Sequence, residues 1–242
     1  METAKPRLLL LSNSRNYGGG YMEHAEGWIR SFFEGTKRAV FVPYAGVTVT
    51  WDAYEANVAE RFRSFGIEVV SVHHAKHPVR EVAAAEAVLV GGGNTFHLLK
   101  HLYDTGLVWA IRERVMGGAP YMGWSAGSNV ACPTIKTTND MPVVEPARFD
   151  AMRLVPFQIN PHYTDAVIPN HGGETRAQRL AEFTKSNPGV YVVGLREGSA
   201  VQVSNGDTTL LGPHSARIFL NDDEPVERAP GASMEFLWNA RT

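Results

Sequence analysis

The sequence has very little cysteine and no long hydrophobic run. Cys132 is the only cysteine among 242 residues, so neither an internal disulfide nor a metal site with several thiolates is possible. The apolar run Leu8 to Leu11 is too short for the core of a signal peptide. No stretch reaches the roughly 18 apolar residues of a membrane-spanning helix. These absences predict a soluble, cytoplasmic protein with no membrane partner.

Charge of one sign is not in excess either. The chain has 23 Lys and Arg residues against 25 Asp and Glu residues, which gives a formal net charge of −2. A balance so close to neutral provides no basic surface for nucleic acid or acidic lipid, so we expect no nucleic-acid partner. Hydrophobic residues make up 44% of the chain and charged residues 20%, a composition typical of folded proteins rather than disordered ones.

What the sequence does contain is an alternation of short apolar runs and longer amphipathic stretches. Such alternation is typical of βαβ units, and runs without polar alternation fit strands that are buried on both faces. The predicted strands are Leu8–Ser12, Ala39–Pro43, Glu68–Val72, Ala87–Val90 and Pro120–Gly123. We therefore predict an α/β fold with an open, mainly parallel sheet and helices on both faces.

The remaining segments extend this prediction. Helices are expected around residues 54–65, 94–116 and 174–185, and extended segments around residues 154–160 and 190–195. The pair Asn205-Gly206 is typical of a tight hairpin turn, here between Ala200–Val203 and Thr208–Leu211. No linker rich in Pro, Gly or Ser divides the chain, so residues 1–242 are expected to form a single domain.

The most specific motif is Gly123-Trp124-Ser125-Ala126-Gly127, a G-x-S-x-G match directly after a predicted strand. In a strand-to-helix turn of this kind, small flanking residues leave the serine hydroxyl exposed at the carboxyl end of the sheet. The backbone N–H of Ala126 would then face a developing oxyanion. A glycine-rich turn without a catalytic role is the alternative, but the position after a strand favours a nucleophile.

A second glycine-rich segment, Gly91-Gly92-Gly93-Asn94-Thr95, ends the preceding predicted strand. It lacks the G-x-G-x-x-G spacing of a dinucleotide loop and the Lys-Ser/Thr pair of a P-loop. Backbone N–H groups that supply a second oxyanion donor beside the serine turn fit this segment better. A tight turn without a ligand remains the alternative.

A catalytic serine needs a base and a carboxylate that orients the base. Among nine histidines, local sequence favours His162, next to Pro161, over His171 in a glycine-rich loop. Glu197 follows a predicted strand, and Asp140 is its rival for the carboxylate. The residues alone do not decide between these two acids.

Other histidines suggest a metal site only weakly. His73, His74 and His77 crowd one short segment before a proline, without a carboxylate triad nearby, so a solvated loop is expected. His97 and His101 are four residues apart but lack the intervening glutamate of the H-E-x-x-H zinc motif, so they are expected to be packing residues. We expect neither a metal nor a cofactor.

Taken together, several segments resemble peptidase E, the aspartyl dipeptidase family of serine peptidases. They run in order from residue 8 to beyond residue 200 and read LLLLSNS, PYAGVTVTWDAY, VGGGNTFHLLK, GWSAGSNVACPTIKTTNDMP, FQINPHYTD, GETRAQR and GLREGSAV. The resemblance implies a flavodoxin-like sheet similar to that of class I glutamine amidotransferases. It also implies a Ser-His-Glu triad at Ser125, His162 and Glu197, with an oxyanion hole from the N–H groups of Gly93 and Ala126.

Amidotransferase activity itself is not expected. Those enzymes share the order nucleophile, His, Glu, but they use a cysteine nucleophile and place the acid two residues after the histidine. Thr164 occupies that place here, and Cys132 lies outside the serine motif.

The resemblance further implies specificity for dipeptides with an N-terminal aspartate, cleaved without a metal. It places the specificity cation at Arg176, since a guanidinium group binds a carboxylate through two hydrogen bonds. The alternative is that Arg176 and Arg179 lie on a solvated helix face and pair with Glu174. The free α-amine of the substrate needs an acceptor, for which Asp140 and Glu174 are both candidates.

We therefore expect hydrolysis of Asp-Xaa peptides through an acyl-enzyme on Ser125, in a monomer or homodimer whose partner is a small peptide substrate. A cyanophycinase-like peptidase of β-aspartyl links is one alternative. A catalytically silent small-molecule binder on the same fold is another. Ser128 and Arg196 depart from the expected pattern, and the sequence assigns neither a role.

Overall fold

A computed structural model describes residues 5–167, 169–170 and 172–239. Its strands are β1 (Leu8–Leu11), β2 (Arg38–Val42), β3 (Glu68–Ser71), β4 (Ala87–Val90), β5 (Tyr121–Trp124), β6 (Gln158–Tyr163), β7 (Val192–Arg196), β8 (Ala200–Ser204), β9 (Asp207–Leu211), β10 (Ala216–Phe219) and β11 (Val226–Arg228). Its helices are α1 (Glu26–Phe32), α2 (Trp51–Arg63), α3 (Pro78–Ala83), α4 (Thr95–Asp104), α5 (Leu107–Met116), α6 (Ala126–Asn129) and α7 (Arg176–Ser186).

Seven strands form the main sheet, in the order β3-β2-β4-β5-β1-β8-β9. The first five are parallel to one another, whereas β8 and β9 are antiparallel. The hairpin between β8 and β9 turns at Asn205 and Gly206, both at positive φ, as their sequence predicts. The predicted α/β fold with a mainly parallel sheet is confirmed.

The two faces of this sheet bury separate cores. Leu8 and Leu10 of β1 pack into one hydrophobic cluster, and Leu9 and Leu11 pack into the other. All four are fully buried, which explains why the strand has no polar alternation. Across the described parts of the chain, no helix is both long enough and apolar enough to cross a membrane.

Over residues 94–116, where the sequence predicts one long or broken helix, the structure has two helices, α4 and α5. Asn94 caps α4, because its side chain accepts a hydrogen bond from the N–H of His97. Gly106 then adopts φ of +73° between α4 and α5, a left-handed conformation that favours glycine and interrupts the helix.

The structure differs from the predicted single sheet in having a second one. Its four strands lie in the order β11-β10-β7-β6, with β6 parallel to β7. The extended segments predicted near residues 154–160 and 190–195 supply β6 and β7, so they pair with each other instead of joining the main sheet. The strands β10 and β11 fall in the acidic, proline-containing end of the chain, where the sequence carries no strand pattern.

Candidate active site

Ser125 lies in the turn between β5 and α6, with φ of 52° and ψ of −113°. This conformation is rare for an L-residue and is typical of nucleophiles held on a tight strand-to-helix turn. Glycines make the turn possible. A Cβ on Gly123 would lie 2.4 Å from the carbonyl oxygen of Gly127, and one on Gly127 would lie 2.1 Å from that of Val90.

Ser128 fastens this turn to the sheet. Its buried hydroxyl lies 2.7 Å from the carbonyl oxygen of Leu11 and 2.9 Å from that of Gly123. These oxygens belong to the ends of β1 and β5, so Ser128 fixes α6 over both strands. The residue to which the sequence assigned no role therefore positions the turn that carries Ser125.

The structure brings Ser125, His162 and Glu197 into one hydrogen-bonded chain. His162 Nε2 is 2.9 Å from Ser125 Oγ, and His162 Nδ1 is 2.6 Å from Glu197 Oε1. His162 has φ of 53° and sits where the pairing of β6 with β7 shifts register, and such a bulge re-aims a side chain. Asp140, the rival acid, does not take part in these hydrogen bonds. His171 lies outside the described residues.

Ser12, directly after β1, holds the two partners of Ser125 in place. The backbone N–H of His162 donates to Ser12 Oγ at 2.8 Å, and Ser12 Oγ donates to the carbonyl of Leu195 at 2.8 Å. Leu195 lies two residues before Glu197 in the chain. Ser12 is fully buried, so one hydroxyl links the backbones that carry the base and the acid.

The glycine segment after β4 lies against the serine turn. A Cβ on Gly92 would come within 2.9 Å of Ser125 Cβ, and one on Gly93, at φ of +137°, would come within 2.3 Å of the carbonyl oxygen of Ala45. Ala126 is the first residue of α6, so its N–H is one of the donors that a helix leaves unpaired at its start. Ala126 therefore adjoins Ser125 and Gly92 contacts it, whereas Gly93 lies against Ala45. The oxyanion role of Gly93 and Ala126 stays a prediction.

Two aromatic residues, Tyr54 and Trp124, hold the glycine segment in place through hydrogen bonds. The Tyr54 hydroxyl donates to the carbonyl oxygen of Gly92 at 3.0 Å, and the Trp124 indole N–H donates to the Tyr54 hydroxyl at 2.9 Å. Phe41 stacks on Trp124 with ring centroids 5.9 Å apart. The second residue of the G-x-S-x-G motif therefore anchors the neighbouring loop, a contact that the motif alone does not predict.

A cleft of about 290 Å³ opens beside Ser125. It is lined by Thr95, Ser125, Ala126, Thr138, Asn139, Asp140, Pro161, His162 and Arg176. Arg176 begins α7, and its Nη1 is buried without a hydrogen-bond partner in the described part of the chain. Burial, and then the nearby charge of Arg179, lower the pKa of the Arg176 guanidinium. A partly desolvated cation of this kind favours an anionic ligand.

The two candidate acceptors for a substrate amine occupy different places. Asp140 lines the cleft, where its Oδ2 accepts hydrogen bonds from the N–H of Thr95 at 2.7 Å, the Thr95 hydroxyl at 2.6 Å and the Thr138 hydroxyl at 3.1 Å. Glu174 is exposed and borders an adjacent depression, where it lies 3.9 Å from Arg179. Of the two acids, only Asp140 is among the residues that line the cleft.

The contacts of Cys132 and Arg196 are those of structural residues rather than of site residues. Cys132 is fully buried, and burial raises the pKa of its thiol to about 12, so it has no reactive thiolate at neutral pH. Arg196 pairs with Asp165 at 2.7 Å and with Glu227 at 2.8 Å. Those hydrogen bonds, Glu227 foremost, raise the pKa of Arg196. Both partners are 31 residues away in the chain, so sequence alone gives no signal for this pairing.

The expectation of a solvated loop around His73 and His74 is wrong for His73. Its side chain is only 10% exposed, and its ring bonds to Asp52. The sequence around His73 gives no sign of that contact, because α2 contributes the acid from 21 residues earlier. His97 and His101 do pack together as predicted, with ring centroids 4.5 Å apart.

Sequence comparisons identify the family. Peptidase family S51 matches residues 8–211. A protein from Nostoc sp. named Peptidase E is 49% identical over 232 residues, which cover 96% of this chain and 96% of the relative. A protein of the same name from Salmonella typhimurium is 48% identical over 224 residues, 93% of this chain and 98% of the relative.

A structural comparison agrees on the fold. The crystal structure of a peptidase from an acI-B1 Actinobacterium superposes with a TM-score of 0.71 at 18% identity, over 96% of this chain and 97% of the other. At that identity the likeness concerns the fold alone, whereas the sequence matches span the glycine segment, the serine turn and α7. The chain belongs to peptidase family S51 and is a peptidase.

Proposed function

We propose that the protein is a serine-type aspartyl dipeptidase that hydrolyses Asp-Xaa through an acyl-enzyme on Ser125. The observation that carries the proposal is one cleft with two features. The Ser125–His162–Glu197 hydrogen-bond chain lies on one side, and the guanidinium of Arg176 lies on another. The first is the arrangement of a nucleophile with its base and orienting acid, and the second is a cation suited to a carboxylate.

In this mechanism His162 Nε2 takes the proton of Ser125 as the hydroxyl attacks the carbonyl carbon of the Asp-Xaa bond. Glu197 holds the imidazole through Nδ1 and stabilises its charged form. The N–H groups of Ala126 and Gly93 stabilise the tetrahedral oxyanion. His162 then gives the proton to the departing amine of Xaa, and water, activated by the same imidazole, releases aspartate from Ser125.

Arg176 would select the aspartate side chain through a bidentate contact. Asp140 would accept the free α-amine. Its bonds to Thr95 and Thr138 use Oδ2, which leaves Oδ1 for the ammonium group. The cleft has a volume of about 290 Å³. The smallest small-molecule sites in proteins have volumes of about 300 Å³. A dipeptide fits a cleft of this size.

Release of free aspartate from Asp-Leu in the presence of EDTA tests the proposal. Leu-Leu, β-Asp-Leu and N-acetyl-Asp-Leu serve as controls for side chain, linkage and free amine. Cleavage of Asp-Leu alone is the expected result. Cleavage of β-Asp-Leu instead would favour the cyanophycinase-like alternative, and no cleavage by folded protein would favour the silent binder.

Ser125→Ala tests the nucleophile. Since the acyl-enzyme cannot form without the hydroxyl, kcat for Asp-Leu should fall by about 10³-fold or more, with the melting temperature little changed. Cys132→Ala is the control, because it removes a buried thiol that the mechanism does not use and should keep most of the turnover. Near-normal turnover in folded Ser125→Ala protein would contradict the mechanism.

A further inference from the structure

A second group of chemically active side chains lies outside the cleft. Asp52 and Glu55 stand three residues apart in the first turns of α2, and His73 and His74 follow β3 in a short 3₁₀ turn. One ligating atom from each of the four residues lies within 4.8 Å of all the others. None of these residues lines the cleft around Ser125. We refer to these four residues as the α2–β3 cluster.

The distances within the cluster are close to those of a metal coordination shell. His73 Nε2 is 2.9 Å from Asp52 Oδ1, and His74 Nε2 is 3.3 Å from the same oxygen and 2.9 Å from Glu55 Oε2. Zn–N and Zn–O bonds of about 2.0–2.2 Å at tetrahedral angles place neighbouring donor atoms about 3.3–3.5 Å apart. These three separations therefore come within about 0.6 Å of tetrahedral spacing. The remaining donor pairs lie within 4.8 Å, so they would have to close by up to about 1.3 Å to seat an ion among the four.

Two donors of the cluster, His73 and Glu55, are already oriented by neighbouring groups. His73 Nδ1 lies 2.6 Å from Ser71 Oγ, which leaves Nε2 directed at the other donors, and Glu55 Oε1 accepts a hydrogen bond from the N–H of Ser71 at 3.0 Å. Contacts of this kind to the second atom of a ligand are what fix ligating histidines and carboxylates in metalloproteins. Ser71 is fully buried, so both contacts are anchored to the core.

The other two donors, Asp52 and His74, are open to solvent. The side chains of Asp52 and His74 are 76% and 57% exposed, against 10% for His73 and 19% for Glu55. An ion can therefore enter from one side and meet two fixed donors. The two imidazole rings also lie close together, with centroids 3.8 Å apart.

We propose that the α2–β3 cluster binds a divalent transition-metal ion of the zinc type through His73, His74, Asp52 and Glu55. Two imidazoles favour zinc over magnesium or calcium, which prefer oxygen ligands. Four protein ligands are typical of structural zinc sites, whereas catalytic sites keep a position open. The ion ties the start of α2 to the turn after β3, and it takes no part in peptide hydrolysis.

Zinc binding by the metal-stripped full chain tests this proposal, by equilibrium dialysis with Zn²⁺ and by the melting temperature with and without the ion. His74→Ala removes an exposed ligand, and Glu55→Gln removes an inner one while keeping an acceptor for Ser71. His77→Ala is the matched control, since His77 is a nearby exposed histidine outside the cluster. Mg²⁺ replaces Zn²⁺ in a parallel series.

The expected result is one tightly bound Zn²⁺ per chain, with a rise in melting temperature, in wild type and His77→Ala. Both ligand variants should bind Zn²⁺ roughly tenfold or more weakly, and Mg²⁺ should give no rise. No binding by folded wild-type protein at millimolar Zn²⁺ would mean that the cluster is only a set of ion pairs. Equal binding by the ligand variants would place the ion elsewhere, and either result overturns the proposal.

Discussion

At the scale of single residues, the site depends on two backbone conformations that L-residues rarely adopt. Ser125 and His162 have φ of 52° and 53°, and both are held there by tertiary contacts. The glycines around Ser125 are local, so the motif predicts the turn, and its position after a strand favours Ser125 as the nucleophile. His162 and Glu197 are placed through Ser12, more than 100 residues away, so the residues alone left the alternatives open and the family resemblance chose between them.

Arg176 gives a prediction in which function and stability move in opposite directions. If Arg176 binds the aspartate side chain as proposed, Arg176→Gln should lower kcat/KM for Asp-Leu by about a hundredfold or more, since it removes a charged hydrogen-bond donor. The melting temperature should be at least as high as that of the wild type, because the variant relieves an unpaired, partly buried charge next to Arg179. Steady-state kinetics and thermal unfolding measure the two effects.

Arg179→Gln is the control for that prediction. The Arg179 side chain is 65% exposed and its nearest carboxylate is 3.9 Å away, a contact worth little in water. This variant should leave kcat/KM within a small factor of the wild type. Equal losses in both variants would mean that the charge of α7 as a whole, rather than the Arg176 side chain, determines substrate binding.

At the scale of secondary-structure elements, the buried strands were the easiest to predict. The five apolar runs give β1 to β5 with ends that differ by a residue at most. Four of these strands are almost wholly buried and therefore need continuous apolar sequence, whereas β3 lies at the sheet edge and is only partly buried. The pairing of β6 with β7 in a separate sheet was not predicted. An apolar run shows that a strand is buried, but it carries no information about which strand lies beside it.

The helix α6 gives a prediction about close packing. Gly127→Ala should lower the free energy of unfolding by about 3 kcal/mol, because its Cβ would lie 2.1 Å from the carbonyl oxygen of Val90 and would push α6 off β4. Gly27→Ala, in exposed helix α1 with no atom within 4 Å of the new Cβ, should instead raise it by about 0.5–1 kcal/mol. Urea denaturation measures both. Similar effects in the two variants would show that helix propensity, not contact with the sheet, governs position 127.

At the scale of the whole molecule, the hydrogen-bonded residues Ser125, His162 and Glu197 come from two sheets. The main sheet supplies Ser125 at the end of β5, whereas the second sheet supplies His162 on β6 and Glu197 just after β7. The contacts that join the two sheets include those of Ser12 and the N–H of Gly198, which donates to Asn13 Oδ1 at 2.8 Å. The side-chain amide of Asn129 in α6 also donates to the carbonyl oxygen of Ile159 on β6 at 2.8 Å. Since these contacts cross between sheets, local sequence patterns predict the parts of the site but not its assembly.

The stability of this assembly should fall in mild acid, and His24 gives a way to measure part of that fall. Both ring nitrogens of His24 are buried without a hydrogen-bond partner among the described residues. Burial lowers the pKa of His24 below its ordinary value of 6.5, although the charge of Glu197 opposes this. Because the folded-state pKa is the lower one, the unfolded chain binds more protons below pH 6.5. The stabilisation from neutral His24 is therefore complete above that pH and is lost as the pH falls through the folded-state pKa.

His24→Gln should remove this component, since glutamine stays neutral in both states. Urea denaturation at pH 7 and at pH 5 should show a smaller loss of unfolding free energy for His24→Gln than for the wild type. His77→Gln, which replaces an exposed histidine, should lose as much as the wild type. Apart from the replaced histidine, each variant keeps the titrating groups of the wild type, so the difference between His24→Gln and the wild type isolates His24. An equal loss in His24→Gln and His77→Gln would show that His24 is protonated as readily in the folded protein as in the unfolded chain.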